Sequence, residues 1–211
     1  MTALLLALAI LLVGWFSVGT IWNVRKGSAL MRWLQEGLPV IGERTTVRWL
    51  GSTAVEMVIR EAKAPFQKVT LVIFLEPRDM PWMWIFSRGG GRRDTLILRG
   101  ELRAAPAIEL EALDSRSWSG KDALRAVSSG NWSRQQPSDA AGLATFYGSD
   151  VALARADALI ELAGRGGLAV RRLSVRRTAP HLQLHVAAPG GSASARALFD
   201  SFRALAERAT H

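Results

Sequence analysis

The chain has 211 residues, 27 Lys and Arg against 18 Asp and Glu, a net charge of +9 and no cysteine. That length suits one domain plus an additional segment and is enough to bury a core without covalent staples. The lack of cysteine excludes a disulfide framework, a thiolate metal site and a cysteine nucleophile, while 49% apolar and 21% charged residues exclude a disordered chain.

Residues Ala3 to Trp22 read ALLLALAILLVGWFSVGTIW, twenty positions without a charge. A helix of that length spans about 30 Å, the hydrocarbon thickness of a bilayer. A cleaved signal peptide calls for a basic leader, a shorter apolar run and small residues at the cleavage site. Here Trp15, Phe16 and Trp22 occupy the place of such a site. Residues 1–22 are therefore read as a transmembrane helix. Arg25, Lys26 and Arg32 follow it and nothing basic precedes it. The positive-inside rule then puts the N-terminus outside and the rest in the cytoplasm, with Trp22 as an interfacial anchor.

Residues 23–42 are expected to form a juxtamembrane connector. Ser28 to Glu36 reads as a short amphipathic helix with Leu30, Trp33 and Leu34 on one side, ended by Gly37 and Leu38-Pro39. Its stripe suits either an anionic membrane face, with Arg25 and Lys26 beside it, or the soluble domain.

The remaining residues, 43–211, read as one cytoplasmic domain, β-rich over 43–115 and mixed over 116–211. Val47, Trp49, Val55, Met57 and Ile59 share one parity, interrupted by a turn or bulge at Gly51-Ser52. Gln67 to Glu76 is apolar on both faces and predicts a central strand. Asp94 to Arg103 alternates, as does Ile108 to Ala112, where Glu109 and Glu111 read as the solvent side. These runs predict an antiparallel meander of about five strands. Further on, the pattern predicts a helix over 119–128, a loop over 129–142, a short strand over 143–147 and a helix capped by Asp150. A strand pair follows, turned at Thr178-Ala179-Pro180. The final helix repeats Ala195, Leu198, Phe199, Phe202, Leu205, Ala206 and Ala209 at helical spacing and must cover the sheet. The fold class is thus α+β: one N-terminal transmembrane helix, then a mainly antiparallel β-meander with packed helices.

Chemistry is harder to find. His181 and His185 lie about 13 Å apart along the predicted strand, too far to share an ion through it, and read with Gln183 as a solvated face. Glu109 and Glu111 share a strand face in the manner of a paired acid, but alternation with apolar residues accounts for them, and no H-E-x-x-H or calcium-loop motif occurs. Arg88-Gly89-Gly90-Gly91-Arg92-Arg93 is a glycine-rich basic tip that lacks the G-K-[ST] of a phosphate loop. Before it, Met80 to Phe86 is densely aromatic. Trp82, Trp84 and Phe86 alternate as a core strand would, and the competing reading is a membrane contact by Trp82 and Trp84. Arg171, Arg172, Arg176 and Arg177 form a second basic stretch with no acid near in sequence.

No catalytic residue, metal site or cofactor is expected. The function expected is a membrane-anchored binding or scaffolding module for a protein partner at the cytoplasmic face. Membrane lipids are met through Trp22, Arg25, Lys26, Trp33, Trp82 and Trp84. An alternative is an enzyme or binder of an anionic phosphate or headgroup, held by the two arginine groups. A weaker alternative is a membrane-tethered nucleic-acid binder, for which no recognition motif is present.

Overall fold

The computed structural model describes residues 1–128, 132–135, 142–148, 153–190 and 193–210. Most of the expected 129–142 loop, the Asp150 cap and His211 lie outside the described residues. The first helix, α1, runs unbroken from Thr2 to Gly37, and its N-terminal part is long and apolar enough to cross a membrane. A separate short helix over 28–36 does not form. Nothing between Trp22 and Ser28 forbids helical dihedrals, so the apolar helix continues into the amphipathic one. The stop at Gly37 is as expected, followed by a 3-10 turn over Leu38–Val40.

Nine strands of the described residues form one antiparallel sheet. Strands β1 (Thr45–Trp49) and β2 (Ala54–Ile59) make a hairpin that sets Val47 opposite Met57. Gly51 sits in its turn with φ +74°, a conformation that glycine adopts without strain. The long β3 (Phe66–Phe74) and β4 (Thr95–Leu102) continue the meander, with α2 (Pro81–Gly89) between them. There the meander stops. β5 (Leu110–Leu113) is not beside β4. The 103–109 segment crosses the end of the helical layer, where the Ala107 amide donates to the Ala209 carbonyl. β9 (Leu182–Ala187) takes the place beside β4, and the full order is β1-β2-β3-β4-β9-β8-β5-β7-β6. Here β6 is Ser133–Gln135, β7 is Ala144–Tyr147 and β8 is Val170–Val175. Alternation identified the strands, but it carries no information about which edge a strand joins.

One face of the sheet carries the main core. Val69, Leu71, Ile73, Leu96, Leu98, Leu173 and Leu184 point into it and meet α5 (Ala195–Thr210), α4 (Leu153–Gly164) and the second half of α1. Phe199 and Phe202 of α5 are fully buried, and Phe202 stacks on Phe66 with ring centroids 5.2 Å apart. Each such side chain contributes roughly 1.5–3 kcal/mol by leaving water. Helix α1 joins the same layer through Leu30 and Leu34, both buried, and Leu38 and Ile41 follow them into the core. Of the two surfaces open to the apolar stripe of residues 28–36, it packs on the domain. Gly37 makes this possible: any Cβ there would run into the Phe199 ring and the Ala195 backbone. On the other face, α3 (Trp118–Ser128) covers a smaller cluster of Leu113, Ala123, Val127 and Phe146.

Candidate functional site

Helix α2 is the first component. The alternation of Trp82, Trp84 and Phe86 predicts a core strand; the chain forms a helix instead. Met80 is extended, Pro81 opens the first turn with φ already helical, and Gly90 closes the last. Pro81, Trp84 and Ser87, three apart, turn toward the domain. Trp82, Met83, Ile85 and Phe86 turn away from it, at 51, 45, 65 and 78% exposure. The helix is inside-out for a globular protein: its apolar residues face outward and no residue of it is fully buried. Pro81 and the glycines from Gly89 were the sequence signals for a helix; a run this short matches either period.

A polar clamp ties this region to α1. The Asp94 carboxylate accepts two hydrogen bonds from Arg78, at 3.0 and 2.8 Å, and one from the Glu76 amide at 2.7 Å. Lys26 of α1 lies 2.5 Å from the same carboxylate. Asn23, one turn earlier, is wholly buried; its amide donates to the Glu76 carbonyl and its oxygen accepts from Arg78. Glu76 also accepts from the Trp84 indole at 2.5 Å, and Arg88 approaches it at 3.6 Å. Burial alone would raise the Asp94 pKa; the hydrogen bonds of Arg78, Lys26 and the Glu76 amide outweigh it and hold the group below the usual carboxylate range. Above the clamp, the Trp15 indole donates to the Arg78 carbonyl at 2.9 Å, and Gly19 lies so close to the Arg78 and Asp79 backbone that no side chain fits.

The expected interface residues divide. Trp22 and Arg25 are exposed on α1, whereas Lys26 belongs to the clamp. Trp33 turns to the domain and donates to the Ala193 carbonyl. Trp82 is exposed; Trp84 is half-buried against Glu76. Arg88, 53% exposed, stacks on the Trp84 ring. Arg92 stacks on Trp118, and Arg93 donates to the Arg88 and Arg92 carbonyls. The cleft among Arg92, Arg93, Ser117, Ser119 and Arg171 holds about 20 Å³, room for about one water molecule.

The second basic stretch finds its acids across the sheet. Arg171 pairs with Asp114 at 2.7 Å. Arg172 and Arg176 both bond the Glu111 carboxylate, and Arg176 also stacks on Trp132. The Arg177 amide donates to Glu109. Glu111, expected on a solvated face, is completely buried. β8 and the residue that follows it bring two guanidiniums to it, which no local pattern reveals. His185, expected on a solvated strand, is 5% exposed, with neither ring nitrogen hydrogen-bonded. Burial, then the nearby charges of Arg172 and Arg99, pushes its pKa down to about 3. His181 accepts a hydrogen bond from the Leu102 amide.

Among the described residues no three metal-ligating side chains converge. No family model matches the chain, and no curated protein matches it in sequence.

Proposed function

We propose that the protein is a single-pass membrane protein whose α+β domain is held flat on the cytoplasmic face and serves as a binding or scaffolding module for a protein partner. The outward apolar face of α2, placed beside α1, carries this reading. The domain first touches α1 at Trp15, seven residues before the apolar run ends at Trp22. Seven helical residues are about 10 Å, so a span seated to Trp22 sinks α2 to about the 5–10 Å depth of an interfacial helix. Arg88, Arg92 and Arg93 follow at its end, and each basic group near an anionic leaflet adds roughly 1 kcal/mol at low salt. The orientation follows from Arg25, Lys26 and Arg32 after the span. Retention of α1 is supported by contacts made inside the apolar run itself: the Trp15 indole donates to the Arg78 carbonyl, and Gly19 lies against the Arg78 and Asp79 backbone.

The surface left for a partner is the outer face of β3, β4 and β9, where Lys68 pairs with Glu101 and Arg99 is exposed. The test is a photo-reactive residue at position 99, cross-linked in native membranes, together with a reporter after His211 that is active only outside the cytoplasm. A discrete protein adduct and a silent reporter are expected. An active reporter would overturn the topology, and the absence of any protein adduct at position 99 would overturn the module.

A further inference from the structure

An apolar groove of about 460 Å³ lies between α1 and α2, lined by Leu11, Gly14, Trp15 and Val18 on one side and by Arg78 and Trp84 on the other. We propose that it holds one acyl chain of a phospholipid from the leaflet on the domain's side. The inference rests on α1 being retained in a bilayer. Three observations select the occupant. First, the lining runs along α1 from Leu11 to Trp22, about 16 Å of helix and so about half of the 30 Å hydrocarbon thickness, the depth of one leaflet. Second, the walls between Leu11 and Val18 and at Arg78 and Trp84 offer little to a polar ligand. The Trp15 and Trp84 indole N–H groups are spent on the Arg78 carbonyl and on Glu76, and the Arg78 guanidinium is neutralised by Asp94. Ring faces and aliphatic carbon remain, with the Trp22 indole N–H, where α1 leaves the apolar run, as the one donor of the lining tryptophans without a partner among the described residues. Third, Gly14 leaves space: a Cβ built there would meet nothing within 4 Å.

The volume falls in the usual range of about 300–1,000 Å³ for small-molecule sites. The groove is of a size for a single chain, and it seats that chain against Trp84 of α2.

The test uses the full chain in vesicles of phosphatidylethanolamine and phosphatidylglycerol containing a phospholipid with a diazirine on its acyl chain. Adducts are mapped by mass spectrometry after irradiation. Adducts are expected on the groove walls, at Trp15, Val18 and Trp84, and on the outward face of α2, at Ile85 and Phe86. A Cβ at Gly14 meets nothing within 4 Å, so Gly14→Phe projects a ring from α1 toward the groove; it should remove most of the wall adducts, spare those at Ile85 and Phe86, and leave the melting curve unchanged. Gly14→Ala should retain both sets. Adducts on Ile85 and Phe86 without wall adducts, wall adducts that survive Gly14→Phe, or a chain-to-chain cross-link through the groove would each overturn the acyl site while membrane docking stands. Adducts in neither place would overturn both.

Discussion

Asp94 shows how much one side chain can join. It binds Arg78, Lys26 and the Glu76 amide, and so couples α1, the 76–79 loop and the start of β4. Replacing it leaves two cations facing each other in a largely buried site. Asp94→Asn should cost about 3 kcal/mol, the scale for removing one member of a buried ionic cluster, read as a lowered denaturation midpoint of the full chain in micelles. The Asp94 pKa is depressed in the folded state, so its contribution is present above the unfolded value of 3.8 and is lost as pH falls below it. His185 acts at higher pH. The folded state keeps it neutral down to about pH 3, whereas the unfolded chain takes up a proton near 6.5. Stability should therefore fall as pH drops from about 6.5 to about 3, by up to roughly 5 kcal/mol at 1.36 kcal/mol per pH unit. His185→Leu should flatten midpoint against pH in that window; an unchanged slope would assign the acid sensitivity elsewhere.

Among the elements, α1 and α2 behave in opposite ways toward substitution. Gly19 sits against the Arg78 and Asp79 backbone, and Gly14, five residues earlier, faces open space. Gly19→Leu should push α1 off the domain and cost about 1–3 kcal/mol through overpacking, whereas Gly14→Leu should leave the melting temperature alone. Helix α2 has no fully buried side chain. Trp82→Asp with Phe86→Asp should thus change stability by no more than about 0.5 kcal/mol, as for surface substitutions, while reducing tryptophan quenching by brominated lipid. A large loss of stability in that double variant would show that α2 is a core element.

At the scale of the molecule, the α+β class, the central β3, the β8–β9 hairpin and the buried face of α5 were legible because each writes a period into its own sequence. The partners of β5, the burial of Glu111 and the clamp on Asp94 were not, because they join residues that are 16 to 68 positions apart and leave no local pattern. The helicity of α2 was hidden for another reason: its apolar residues face outward, so burial could not be used to choose between periods. The most direct test of the proposed seating of α2 uses the absence of native cysteine. A single nitroxide placed by Phe86→Cys, with Arg60→Cys as an exposed reference, reports collision rates with oxygen and with a water-soluble nickel chelate in bilayers. The expected result is an oxygen-rich, nickel-poor environment at position 86 and the reverse at position 60. Equal, water-like values at both positions would contradict the seating of α2 in the membrane interface.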